Sequence, residues 1–158
     1  MATTLHRARQ NFAYQLEQIS PTSTIVGRGF LVVDELRLDA AGSNAVGHAR
    51  DFTIAWEGSR QDAEPTDGYL REAVHGYELR ISYPTALGTE GAIMDAIAQD
   101  RHDVIERLRP QAYFTGYAGD ASGATGLMRR TRTRDYLIKD GPVWVHVYEF
   151  ECLVYEAV

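Results

Sequence analysis

Cysteine is almost missing from this chain: Cys152 stands alone among 158 residues. An internal disulfide is therefore excluded, as is a zinc centre built from several thiolates. Long apolar runs are missing too, and nothing approaches the roughly 18 residues that a membrane-spanning helix needs. The opening MATTLHRARQ has no apolar signal core, which argues against secretion and for synthesis inside the cell. A basic excess is also lacking. The net charge of −6 is the wrong sign for a general nucleic-acid binder, which must neutralise phosphates.

Metal-ligand spacing is absent as well. His6, His48, His75, His102 and His146 form neither HxH nor HExxH. His146 falls on an apolar strand beside Trp144 and Tyr148, where a hydrogen-bonded core histidine is the simplest expectation. Cys152 shares that strand face, but six strand residues span about 20 Å, too far for a thiol–imidazole pair. Cys152 is expected to be a small buried hydrophobe. The glycine-rich run Gly119–Gly126 leads from a helical region into a strand. A phosphate cradle runs from strand to helix, and no Lys-Ser/Thr pair follows, so nucleotide binding is excluded. Asp100 and Asp103, three apart among Arg101, His102 and Arg107, suit solvated or capping roles better than acid–base chemistry.

What is present is a clear alternation of elements. Length and ordinary composition (44% hydrophobic, 24% charged) fit one domain, residues 1–158. Leu5, Ala8, Phe12, Leu16 and Ile19 recur at three- and four-residue spacing, which predicts an amphipathic helix from Thr3 until Ser20-Pro21. Phe30, Val32, Leu36 and Leu38 predict a strand over Arg28–Leu38, and 39–50 reads as a flexible hairpin or long loop. Phe52, Ile54 and Trp56 alternate with Thr53, Ala55 and Glu57 as a second strand, with a polar loop over 58–68. Tyr77, Leu79, Ile81 and Tyr83 set one face of a third strand, Val74–Tyr83, which Pro84 ends.

Thr89 is then placed to cap a helix whose buried stripe is Ile93, Ile97, Val104 and Leu108. Gln111–Gly126 reads as a mobile loop carrying Tyr113, Phe114 and Tyr117. A polar strand over 128–139, a tight turn at Asp140-Gly141 and a strand over Val143–Tyr155 complete the chain. The order is α-β-β-β-α-β-β. It predicts an α+β fold, a mixed or antiparallel sheet of about five strands packed on one side by two helices.

One feature is not explained by packing. Seven of the sixteen basic residues lie between Arg107 and Lys139, and four crowd into Arg129–Arg134. On a regular strand Arg130, Arg132 and Arg134 share one face and repel one another. Either solvent screens them at a sheet edge, or Glu149 and Glu151 of the adjacent strand or a neighbouring subunit pair with them, or they face DNA phosphates. A basic patch on an acidic body suits self-association.

The order of elements, with the run Leu79-Arg80-Ile81-Ser82-Tyr83-Pro84, the helical stretch Met94–Leu108 containing Asp100, and the closing hairpin, resembles the tail terminator (tail completion) proteins of long-tailed bacteriophages and gene transfer agents. The resemblance covers most of the chain. It implies a non-enzymatic structural subunit without cofactor, metal or catalytic residues. It implies a hexameric ring on the last tail-tube ring, at the virion's tail–neck junction, after synthesis in the bacterial cytoplasm. Its partners would be further copies of itself, the tail tube protein and head–tail connector or neck proteins, with double-stranded DNA passing through the lumen and no membrane contact. Another connector or stopper subunit, or more remotely a small α/β ligand-binding domain or enzyme, are the alternatives. Under the ring reading Arg130, Arg132, Arg134, Glu149 and Glu151, with Tyr113, Phe114 and Tyr117, are the candidate contacts to subunits or partners.

Overall fold

The computed structural model describes residues 4–23, 27–40, 45–60, 70–108 and 129–157, with side chains over 9–23, 27–40, 45–58, 74–108 and 133–151. Its elements are α1 (Thr4–Glu17), β1 (Leu31–Val32), α2 (Ala45–His48), β2 (Asp51–Arg60), β3 (Leu70–Pro84), a 3₁₀ turn (Thr85–Leu87), α3 (Glu90–Arg107), β4 (Arg129–Asp140) and β5 (Val143–Ala157). The strands form one mixed sheet in the order β1-β2-β3-β5-β4, antiparallel except for the β1–β2 pair. The expected α+β architecture of five strands with helices is what the chain adopts.

Alternation decides which side of the sheet is buried by helices. Tyr77, Leu79, Ile81 and Tyr83 of β3 have no exposed surface, and Phe52, Ile54, Tyr148 and Phe150 join them from the neighbouring strands. Phe12 and Leu16, one turn apart on α1, close over this layer. The Phe12 ring meets Tyr77 and Phe150 edge-on, with centroids 5.3 and 4.9 Å away. From α3 come Ile93, Ile97, Val104 and Leu108, all buried. Thr89 caps that helix, its hydroxyl accepting the Ala92 amide at 3.3 Å.

Several sequence expectations give way. The predicted strand Arg28–Leu38 shrinks to Leu31–Val32, because the chain bends at Asp34-Glu35 and leaves the ladder there. Phe30 reaches the helix-side core, whereas Leu36 packs with Ala40, Val143, Val145 and Val147 on the opposite face. Part of that second face is thus covered by chain rather than by helix. The supposed loop 39–50 includes the one-turn helix α2, and Ala40, Ala45, Ala49 and Arg50 are buried. β2 and β3 extend further than alternation alone suggested, to Arg60 and back to Leu70. Trp56, two residues beyond the buried Ile54 on β2, is 46% exposed. The aromatic loop 111–126, with Tyr113, Phe114 and Tyr117, and the glycine run 119–126 lie outside the described residues.

Candidate functional site: a charged sheet face

The uncovered part of the second face carries the charges that the sequence singled out. The register sets Arg134 opposite Glu149, and Glu78 opposite Glu149 on the other side. Cross-strand neighbours on one face interact directly. Arg134 Nε donates to Glu149 Oε2 at 2.7 Å, and the Tyr136 hydroxyl donates to Glu149 Oε1 at 3.3 Å. The Arg134 guanidinium also lies 5.8 Å from the Tyr136 ring centre. Arg80 Nε donates to Glu78.

Glu57 joins this row through a bulge. The β2–β3 register shifts between Trp56 and Gly58, and Gly58 has φ of +145°, a conformation that suits glycine. Carboxylate oxygens of Glu57, Glu78 and Glu149 come within 4.8 Å of one another. Partial burial raises the Glu57 pKa first, and hydrogen bonding and repulsion from Glu78 raise it further. Two arginines against three carboxylates leave this patch with an acidic remainder.

The arginine strand does not present the uniform stripe expected of it. A register shift between Arg130 and Arg132 sets position 130 opposite Cys152 but position 132 opposite Glu151. Positions on opposite sides of a bulge lose strict alternation, so 130 falls out of step with 132 and 134. The repulsion argued from sequence is thereby lessened in the backbone itself. The side chains of Arg130, Arg132 and Cys152 lie outside the described ones, and Glu151 is half-buried.

Two polar groupings sit under the helices, and the sequence reading missed both in part. Asp100, expected in a solvated or capping role, has no exposed surface. It accepts Arg50 Nε at 2.8 Å, Arg50 Nη2 at 2.7 Å and the Tyr83 hydroxyl at 2.8 Å. The Arg50 guanidinium further donates to the carbonyls of Arg28 (2.6 Å) and Ser23 (3.1 Å) and lies 5.5 Å from the Phe30 ring centre. Desolvation, then the adjacent Asp100 charge, push the Tyr83 pKa well up. Asp103 is half-buried and accepts the amide and hydroxyl of Thr22 at the surface.

His146 is buried, as its strand position implied, and is bonded on one side. Nε2 lies 2.8 Å from Asp135 Oδ2, and Arg101 grips the same carboxylate at 2.8 and 3.0 Å. The His146 Nδ1 and Tyr148 hydroxyl, both buried, have no hydrogen-bond partner among the described residues. Burial lowers the His146 pKa despite the carboxylate, and hydrogen bonds from Arg101 first, then His146, lower that of Asp135. An aspartate–histidine pair is half of a nucleophile-activating arrangement. Its free nitrogen meets no hydroxyl or thiol among the described residues, and Ser82 Oγ instead donates to the His48 carbonyl at 2.8 Å.

No helix among the described residues is long and apolar enough to cross a membrane. Compared with known protein families and with curated protein sequences, the chain matches none.

Proposed function

We propose that this chain is a structural assembly subunit, a ring-forming terminator that caps a phage-type tail tube and offers the head or neck its attachment surface. The observation that carries this reading is the charge lattice on one sheet face, with Arg134, Arg80 and Glu57 exposed and Glu78 and Glu149 half-buried between them. Side chains fixed by a sheet, half-paired within the chain and left with an acidic remainder, suit recognition of another charged protein surface. The buried Arg50–Asp100 pair, by contrast, ties the Ser23 and Arg28 carbonyls to helix α3, which is a structural task. A heterologous ring needs two unlike complementary patches per subunit, and the basic edge strand and the acidic remainder supply such a pair. A hexamer, passage of double-stranded DNA and a place at the tail–neck junction come from the resemblance alone.

The test is mass by light scattering across concentration, alone and with purified tail tubes. A concentration-dependent ring, or a ring on tube ends, is the expected result; a strict monomer under both conditions overturns the reading. Binding to portal complexes in place of tubes would reassign the chain to another connector role. Replacing Arg132 and Arg134 together by glutamate is expected to abolish assembly while the monomer keeps its cooperative unfolding. Normal assembly of that variant would demote the arginine strand to a solvated edge.

A further inference from the structure

We propose that neighbouring copies join by adding the outer edge of β4 to the outer edge of β2, making one sheet continuous from subunit to subunit. The inference rests on the ring reading above and specifies its contact.

Among the described residues, β4 closes one end of the sheet with β5 as its sole strand partner. At the other end β1 covers β2 at two positions only, Leu31↔Asp51 and Val32↔Phe52, and the Val33 amide donates to the Phe52 carbonyl at 2.8 Å. There the chain turns away. Beyond that point the β2 edge from Ile54 to Arg60 has no strand beside it among the described residues, although Arg9 Nε reaches the Ile54 carbonyl at 2.7 Å. The outward carbonyls of Phe52 and Ile54 fix the alternation, so Ile54 and Trp56 also direct their amides outward. An open strand edge is a template for another strand.

Two clefts flank this edge. One, of about 480 Å³, lies on the charged face beside Leu36, Leu38 and Thr53; the other, of about 440 Å³, lies against α1 beside Ala13 and Tyr14. An added strand points alternate side chains to either face, which is the arrangement that paired clefts accommodate. Exposed apolar groups gather here as well: Leu38 and Tyr14 line the clefts and Trp56 lies on the edge itself.

The occupant is a second copy because the charges and the directions agree. β4 carries five basic residues and two acidic ones; the β2 edge is bordered by Asp34, Glu35 and Glu57, with Arg9, bonded to the Ile54 carbonyl, and Arg80, bonded to Glu78, lining the same cleft as Asp34 and Glu35. Successive antiparallel pairings make β2 and β4 of one copy run in opposite senses. Rotation about an axis near the strand direction then brings β4 antiparallel to the next copy's β2. A register with the neighbour's Ile138 and Tyr136 over the Leu36–Leu38 cleft brings its Arg134 beside Glu57. That carboxyl is crowded by Glu78 and Glu149, and the cation near it, Arg80, is already bonded to Glu78.

Amide hydrogen exchange on the wild-type chain, as dilute monomer and as assembled ring, tests the contact. The Ile54 and Trp56 amides are expected to slow by at least about tenfold on assembly. A ring that forms by mass without slowing them overturns the edge contact and leaves the ring reading standing. A chain that never assembles overturns both. Trp56→Pro deletes an outward donor without touching the β2–β3 ladder; it is expected to unfold like the wild type yet stay monomeric, whereas Trp56→Phe assembles. Assembly of Trp56→Pro at wild-type concentration also overturns the edge contact.

Discussion

Three hydrogen bonds converge on Asp100, a carboxylate with no exposed surface. Breaking a buried ion pair by neutralising one partner strands the other charge, which costs about 3–5 kcal/mol. Asp100→Asn is therefore expected to lose that much in urea denaturation. The double replacement Arg50→Met, Asp100→Leu should recover most of the loss, because no lone charge remains. Tyr83→Phe removes one hydrogen bond to a charged group and should cost about 1.5–3 kcal/mol. His146 sets a pH response of definite sign. Its folded pKa lies below the ordinary value near 6.5, so the unfolded chain takes up the proton first. The stability it contributes is fully present above roughly pH 6.5 and is lost as pH falls through the depressed folded pKa. Asp135, also depressed, adds a second loss below roughly pH 4. Denaturation midpoints measured from pH 8 to 5 should fall for the wild type and fall less for His146→Gln.

Helix α3 depends on its first turn as well as its buried stripe. Thr89→Ala removes the hydroxyl that accepts the Ala92 amide and should cost about 1 kcal/mol of thermal or chemical stability. The Arg134–Glu149 pair behaves differently, since the arginine side chain is 72% exposed. Pairs so open contribute about 0–1 kcal/mol, so Arg134→Ala should fold almost as stably as the wild type. Elements of this kind were readable in the sequence wherever one period ran unbroken. The stripe Ile93–Ile97–Val104–Leu108 and the face Tyr77–Leu79–Ile81–Tyr83 are examples, because burial on one side imposes its repeat on the residues. The same logic misread 28–38, where Phe30 and Leu36 share a parity but enter cores on opposite sides of the sheet. Parity reports a face only while the chain stays in the ladder. It was blind to the bulge at 130–132 too, since an extra residue leaves no compositional trace. The Arg50–Asp100 pair was illegible for another reason. Fifty residues separate its members, and a lone charge in a polar stretch looks the same whether solvated or buried.

Across the whole molecule, charge and apolar surface are divided between the two sides of one sheet. Helices and aromatic rings bury one side, while the other is shared between a short strap at Leu36–Ala40 and the charged row. An interface built on such a row is sensitive to ionic strength, because the screening length shrinks from about 10 Å at 0.1 M salt to about 3 Å at 1 M. Ring assembly followed by light scattering should therefore weaken steadily between those concentrations. Monomer unfolding, governed by apolar burial, should change little over the same range. Assembly indifferent to salt would point to the exposed apolar groups Leu38, Trp56 and Ile138 as the dominant contact.

Arg50 has a backbone φ of +64°, a left-handed conformation that costs a side-chain-bearing residue about 1–2 kcal/mol. Glycine would relieve the backbone there, yet only arginine reaches Asp100 and the carbonyls of Ser23 and Arg28 at once. The strained turn is thus held closed from a distance, by a carboxylate of helix α3 fifty residues downstream of Arg50 in chain order. The Ser23 and Arg28 backbone, the α2–β2 corner and α3 consequently open together or not at all. Limited proteolysis should find no early cut in this corner, and its amides should exchange only when the domain unfolds globally.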